Sequence, residues 1–227
     1  MIDAGAGDAA PERRRLVVLI GAVGAGKGTQ AELLSRELGL VHLASGNLFR
    51  EALRDGTPLG RRAREYMDRG ELVPDDVTIA MVTGELDKPE AAAGAILDGF
   101  PRTVAQAAAL DAVLAERGER IGQAIFIDVP PDELVERVSG RWVCPVCGTP
   151  YQLRSDPPAR PGICDKDGAA LQQRDDDRPE VVRARLEKQV PPMLEVVHHY
   201  RRAGVLTRVD GHRTIEEVGR EILEVVA

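Results

Sequence analysis

The segment Leu16-Val17-Val18-Leu19-Ile20, followed by Gly21-Ala22-Val23-Gly24-Ala25-Gly26-Lys27-Gly28-Thr29, constrains this chain more than any other. A continuous aliphatic run ended by glycine suits a strand buried on both faces, as a parallel sheet requires. A helical pattern then runs from Thr29 to Leu38. A glycine-rich loop in that setting is a phosphate cradle. Glycines at 21, 24, 26 and 28 permit a tight turn and let backbone N–H groups approach phosphate oxygens. The positive end of the next helix faces the same anion. Lys27 adds a point charge for the outer phosphates. The generic pattern has Ser or Thr directly after the lysine to hold magnesium; here Gly28 intervenes and Thr29 carries the hydroxyl. A chance connector containing a lysine does not explain the strand-loop-helix context. The loop implies a nucleoside triphosphate, but by itself it fits a hydrolase, a switch or a kinase equally.

Further short aliphatic runs at Val41 to Leu43, Ala95 to Leu97, Ala124 to Asp128 and Val205 to Val209 predict strands. Helical patterns cover Leu48 to Arg54, Asp75 to Leu86, Val104 to Arg117, Asp132 to Val138, Pro179 to Tyr200 and Ile215 to Val226. The alternation predicts a parallel sheet covered by helices on both faces. With 227 residues, 43% of them hydrophobic, the chain suits one domain or one core with a small inserted lobe. Aromatics are only 3%, so aliphatic side chains must build that core. Met1 to Arg14 is Gly/Ala/Asp-rich and reads as a flexible tail.

Charge and cysteine usage narrow the setting. A net charge of -7 disfavours a nucleic-acid coat or a membrane-surface binder. No apolar run approaches the ~20 residues of a membrane span, and the N-terminus lacks a secretory apolar stretch. Three cysteines without an export signal argue against a disulfide framework and for a cytoplasmic protein.

A second motif, Asp98-Gly99-Phe100-Pro101-Arg102-Thr103, sits just after the third expected strand, where ligands gather in parallel sheets. Asp98 is placed to hold magnesium through water, and Arg102 to face a phosphoryl group. Another arginine, Arg50, lies in Ala44-Ser45-Gly46-Asn47-Leu48-Phe49-Arg50, after the second strand. These two stretches, with Gly-Ala-Gly-Lys-Gly-Thr-Gln, resemble the adenylate kinase family. The resemblance runs from about Arg15 to the C-terminus, and its most specific part is Asp-Gly-Phe-Pro-Arg-Thr with Gln106 four residues after the arginine.

The resemblance implies an α/β fold of the phosphate-loop NTPase kind. It has a five-stranded parallel sheet with helices on both faces, a monophosphate-binding lobe (44–73) and a lid (140–177) on a core of 15–43, 74–139 and 178–227. It implies reversible transfer from MgATP to AMP, giving two ADP, by a monomer. Ser45, Arg50, Glu71, Leu72, Val73, Gly99, Phe100, Pro101, Arg102 and Gln106 would form the AMP site, with Gln106 reading the adenine edge. Gly24, Ala25, Gly26, Lys27, Gly28 and Thr29 would hold ATP. Arg137 and Arg141 match the family's adenine-stacking and phosphate-binding arginines. Arg174 and Arg185 match two that span donor and acceptor phosphates. Pro150 and Tyr151 match lid positions bordering ATP, and Arg213 falls where the family contacts the ATP base. Lys27, Arg102, Arg141, Arg174, Arg185 and Asp98 would be the catalytic set. Val23 departs from the proline usual in the loop, and Asn47 from the more common aspartate.

Physical chemistry favours the same reading. Phosphoryl transfer needs in-line positioning and charge neutralisation more than covalent help. Arginine's planar fork binds phosphate bidentately and stays charged. Arg61, Arg62, Arg64, Arg201 and Arg202 read as surface charges, and His198-His199 as helix surface.

Cys144-Pro-Val-Cys147 and Cys164-Asp-Lys-Asp167 are two knuckles separated by residues 148–163. That is zinc-ribbon spacing with one cysteine replaced by aspartate. Gly148 and Gly168 follow the knuckles and allow the turn. Three thiolates and a carboxylate make a closed, structural site, which a small lobe needs as a staple. The resemblance includes long-lid members that bind metal this way. Asp165 is a rival carboxylate with poorer spacing. Trp142 is expected at the lid's base; Asp175 to Asp177 read equally as a solvated acidic run with helix capping before Pro179 or, for Asp176 and Asp177, as partners of lid arginines when the lid closes.

Three other classes meet contrary features. A UMP or CMP kinase has a short lid, and Gln106 favours adenine over guanine, although a GTP-using AMP phosphotransferase remains compatible. A switch or ATPase has no job for the Asp98 to Thr103 segment. A zinc-ribbon nucleic-acid module is disfavoured by acidity and scarce aromatics.

Overall fold

The computed structural model describes residues 14–67, 73–153, 156–173 and 177–227. Its strands in chain order are β1 (Arg15–Ile20), β2 (Val41–Ala44), β3 (Gly94–Asp98), β4 (Gln123–Asp128), β5 (Arg141–Val143), β6 (Pro150–Gln152) and β7 (Leu206–Asp210). Its helices are α1 (Lys27–Leu38), α2 (Ser45–Arg54), α3 (Pro58–Met67), α4 (Asp75–Leu86), α5 (Val104–Glu116), α6 (Pro131–Ser139), α7 (Pro179–Arg202) and α8 (Ile215–Val226).

Five strands form a parallel sheet in the order β2-β3-β1-β4-β7. Side chains alternate along a strand, so Leu16, Val18 and Ile20 join one core while Val17 and Leu19 join another. Both faces of β1 are therefore dry, which is why its sequence is continuously aliphatic. The first core takes Leu110 and Leu114 of α5 and Val82 and Leu86 of α4. The second takes Ala31 and Leu34 of α1, Leu134 and Val138 of α6, and Val218 and Ile222 of α8. Helix α7 serves both: Val182 and Leu186 lie in the second core, Val196, Val197 and Tyr200 in the first. Pro191 and Pro192 fall at the changeover between its two ends.

The expected strands and helices are present, with ends shifted by a few residues. Helix α3 was not expected. Its stretch is arginine-rich, with Arg61, Arg62 and Arg64 exposed, and little apolar periodicity betrays it. It forms because Thr57 caps its start, accepting from Gly60 N at 3.0 Å, and because Ala63 is buried beside Phe49, Val73 and Val77. Arg14, expected in the tail, is anchored: it donates to Leu86 O at 2.8 Å and to Glu119 at 3.0 Å. The rest of that expected tail, 1–13, lies outside the described residues.

After α6 the chain leaves the sheet and builds a small separate unit. Strands β5 and β6 pair antiparallel, and the cysteine knuckles close over them. Trp142 packs beside Cys144, Tyr151, Cys164 and Leu171 in a cluster separate from the two main cores.

Candidate active site

The phosphate loop runs from the end of β1 into α1. Gly24 (φ 86°) and Gly26 (φ 92°) are left-handed, a conformation an L side chain resists, and Gly26 is the residue that starts α1. Ala25 turns its methyl into the second core, so the loop offers backbone, not side chains, to a ligand. Lys27 Nζ donates to Gly21 O at 2.8 Å and Ala22 O at 3.0 Å, which holds the ammonium inside the loop. Thr29 is exposed on the first turn of α1.

Asp98 ends β3, the neighbour of β1, with register Leu19↔Asp98. A Cβ placed on Gly28 would lie 3.6 Å from its Oδ2, so the carboxylate faces the loop across the helix start. Burial alone would push its carboxyl up. A hydrogen bond from His42 Nε2 (3.2 Å to Oδ2) and the Lys27 charge outweigh that and hold it below the usual carboxylate range. His42 went unremarked in the sequence. A polar residue inside a short strand of a two-face-covered sheet is the signal that would have found it.

Lys27 itself is brought down to about 8, by burial first and then by Arg102, Arg141 and Arg185, against the pull of Asp98. Burial likewise lowers Arg102, with Arg185 adding and Asp98 opposing. Although solvent reaches Arg102, these effects place it, Lys27, Asp98, Arg141 and Arg185 in one electrostatic neighbourhood at the carboxyl ends of β1 and β3. Arginine stays cationic through such a shift.

Beside this cluster, two residues converge on one carbonyl. Ser45 Oγ donates to Gly99 O at 2.9 Å and Arg102 Nε donates to it at 2.7 Å. Gln106 is 2% exposed, and its Oε1 accepts from Arg102 N at 2.7 Å while Nε2 donates to Asp75 Oδ1 at 2.8 Å. Asp75, also unremarked in the sequence, thereby ties α4 to the start of α5. Arg50 Nη2 donates to Asn47 Oδ1 at 2.5 Å, so the residue that departs from the family pattern still contacts this arginine.

Several residues expected at the nucleotide sites turn their side chains inward. Phe100 is 1% exposed in the first core and Pro101 is buried, so their side chains pack the sheet and do not face a ligand. Tyr151 turns its hydroxyl toward the knuckles, donating to Cys164 Sγ at 3.5 Å and accepting from Asp165 N at 2.7 Å, so its phenol is committed within the lid. Val73 is buried with Phe49 and Ala63. Pro150 is exposed. Glu71, Leu72, Arg174, Asp175 and Asp176 lie outside the described residues.

Arg141 at the lid's base meets Asp177 with two bonds, Nε to Oδ2 at 2.9 Å and Nη2 to Oδ1 at 2.5 Å. Arg137 donates to Gly211 O at 2.9 Å, and Arg213 pairs with Glu221. In the lid, one ligand atom each from Cys144, Cys147, Cys164 and Asp167 lies within 4.8 Å of the others. Cys147 and Cys164 sulfurs are 3.6 Å apart, close to the roughly 3.8 Å edge of a tetrahedron with 2.3 Å metal–sulfur bonds. Asp167 Oδ2 is 3.1 Å from Cys144 Sγ. Burial, and then the Asp167 carboxylate, push the Cys144 thiol up to about 11. A cation among these four groups would stabilise their deprotonated forms side by side, so the donor set fits a metal ion.

Residues 19–205 match the adenylate kinase family model. Over 213 residues the chain is 49% identical to the adenylate kinase of Geobacillus sp. (strain WCH70), covering 92% of this chain and 97% of that one. It is 47% identical to the adenylate kinase of Bacillus subtilis (strain 168) with the same coverage. The adenylate kinase of Carboxydothermus hydrogenoformans is 47% identical over 202 residues, 89% of this chain and 94% of the relative. The chain belongs to the adenylate kinase family. Its reaction is phosphoryl transfer between ATP and AMP, with magnesium accompanying the ATP, and ADP as product. The phosphate loop and the Asp98 to Thr103 segment are the adenylate kinase features that this geometry brings together. No helix among the described residues is long and apolar enough to cross a membrane.

Proposed function

We propose how this chain's residues carry out that transfer. The carrying observation is the shared neighbourhood of Lys27, Asp98, Arg102, Arg141 and Arg185. Backbone N–H groups from Gly24 to Thr29 bind the donor phosphates, with Lys27 as their point charge. Thr29 on the first turn of α1 and the deprotonated Asp98 at the end of β3, which faces that turn, are suited to hold magnesium, Asp98 through water. The metal would neutralise charge on the donor phosphates. Arg102 and Arg50 bind the acceptor phosphate. Arg141, Arg185 and Arg174 stabilise charge on the group in flight. No protein base is needed, because a phosphate oxygen is already the nucleophile.

Gln106 keeps one amide N–H and one carbonyl lone pair unassigned after its bonds to Asp75 and Arg102. A donor beside an acceptor is what the adenine edge requires, and Ser45, Gly99 and residues 71–73 complete that pocket. Residues 44–73 and 140–177 act as two lobes that close over the nucleotides and exclude water, which would otherwise accept the phosphoryl group. The lid metal is zinc, supported by a three-sulfur, one-oxygen donor set. We take the enzyme to be a cytoplasmic monomer.

A coupled assay with ATP against AMP, UMP, CMP and GMP tests the acceptor; AMP should give the highest kcat/KM. A higher value for UMP or GMP would overturn the role of Gln106. Scattering curves that do not change with a bisubstrate analogue would overturn lobe closure.

A further inference from the structure

Helix α6 leads from β4 to the lid, and its residues Glu133 and Arg137 share a face one turn apart. Glu133 Oε1 pairs with Arg137 Nη2, and Glu133 Oε2 pairs with Nδ1 of His212. The same Arg137 nitrogen donates to Gly211 O at 2.9 Å. A carboxylate on α6 therefore links that arginine to the loop between β7 and α8.

That loop is held from several sides. Gly211 N donates to Asp128 O at 2.9 Å, and His212 N donates to Asp210 Oδ1 at 3.0 Å. A Cβ on Gly211 would sit 2.5 Å from Val129 Cγ2 and 2.7 Å from Ile127 Cγ2, so only glycine lets the backbone pass this close to β4. Three residues on, Thr214 and Glu217 close a capping box that starts α8. The Arg137 carbonyl meanwhile accepts from Gln152 Nε2 of β6 at 2.5 Å, which ties the same residue to the lid.

We propose that Glu133 and His212 are positioning residues for the donor base, holding the Arg137 guanidinium by its edge so that its flat face is offered to a purine. This rests on the reading of Arg137 as the donor-base shelf. A guanidinium donates in its own plane and stacks through its faces. Acceptors at the edge, Glu133 and Gly211 O, fix the plane without occupying a face. Glu133 also balances the charge of Arg137. His212 fixes the carboxylate in turn, donating from Nδ1 to the oxygen that Arg137 does not use. Solvent still reaches these partly exposed pairs and screens them, so their effect should appear more in donor binding than in folding.

The test uses the full chain with Glu133→Ala, Glu133→Gln and His212→Ala, and Arg137→Ala as control. Glu133→Ala should raise KM for ATP about three- to fivefold, the scale of one arginine stacking contact. Glu133→Gln, which keeps an acceptor, should recover part of that, and His212→Ala should lie between. KM for AMP and kcat should stay within about twofold, and the Ki of inorganic tripolyphosphate, which has phosphates but no base, should not move. A purely helix-stabilising Glu133 would shift Tm and leave the donor KM alone; that result overturns the proposal, as does an equal rise in both KM values. If Arg137→Ala raises KM for ATP while Glu133→Ala does not, the positioning role fails and the shelf stands. If Arg137→Ala leaves KM for ATP unchanged, the shelf itself is wrong and the proposal falls with it.

Discussion

Arg141 and Asp177 form a two-point ion pair with Asp177 fully buried, joining the first residue of β5 to the segment that re-enters the core before α7. The fork-to-fork geometry fixes the plane of the guanidinium at the base of the lid. A buried aspartate that loses its partner is left with its desolvation uncompensated, a loss of about 3 kcal/mol. Arg141→Ala should therefore lower Tm by about 6–12 °C in a chain of this size, beyond its effect on kcat. Asp177→Asn keeps the shape but removes the charge, and should reduce kcat at least about tenfold by letting Arg141 swing. A double-mutant cycle on kcat/KM and on stability measures the link. Coupling below about 0.5 kcal/mol in both would mean the pair is incidental.

The depressed Lys27 predicts proton uptake on donor binding. Its ordinary value is 10.5 and the folded protein brings it to about 8, chiefly by burial. Between those values the unfolded chain holds a proton the folded one has released. Lys27 therefore makes stability rise with pH across about 8 to 10.5, and below 8 it opposes folding in full. Donor phosphates reverse the balance, because they favour the ammonium. At pH 8.5, ATP binding should take up roughly three-quarters of a proton. Calorimetry in buffers of different ionisation enthalpy reads this directly. Lys27→Met should abolish the uptake; its persistence in that variant, or its absence in the parent, would contradict the assignment.

Arg102 has its Nε on Gly99 O at 2.7 Å, which leaves the terminal nitrogens for a phosphoryl group. Lysine cannot reproduce that fork. Arg102→Lys should lower kcat by about 10²–10³-fold, the usual loss for one transition-state donor. Tm should change little, since the side chain is exposed and packs no core. A near-parental kcat would remove Arg102 from the machinery.

How much of this was legible beforehand depends on the kind of signal. Strand β1 and the loop after it could be read because burial on both faces forces continuous aliphatics and phosphate approach forces glycine. The knuckles could be read because a donor set able to hold a metal needs a fixed ligand spacing along the chain. Helix α3 could not, since its stability comes from a capping threonine and contacts with α2 and α4, not from its own apolar period. His42 and Asp75 escaped for a related reason. Each acts on a residue distant in sequence, Asp98 and Gln106, and only the pairing of β2 with β3 or the packing of α4 on α5 brings them together. The inward turn of Phe100 and Tyr151 is likewise a tertiary outcome, because a motif gives a residue's place and not its direction.

The lid metal gives the last prediction. Purified protein should carry about one zinc per chain on Cys144, Cys147, Cys164 and Asp167. Thiolates must be deprotonated to bind, so acid or a chelator should release it. The knuckle unit has its own small cluster of Trp142, Cys144, Tyr151, Cys164 and Leu171, too little apolar material to hold a fold of that size alone. Losing the metal should therefore lower Tm by far more than it lowers activity at a temperature where the fold persists. Cys164→Ser should match metal removal. Asp167→Cys should keep or tighten the site, because thiolate is the softer ligand. Tyr151→Phe, which deletes the hydroxyl bonded to Cys164 Sγ and Asp165 N, should retain zinc but release it faster to a chelator, since ligand orientation is what the hydroxyl secures. Elemental analysis and chelator-release kinetics decide these points. Zinc well below one per chain after growth in ample metal would refute the site. Chelation that abolishes transfer while the fold is intact would refute its purely structural role.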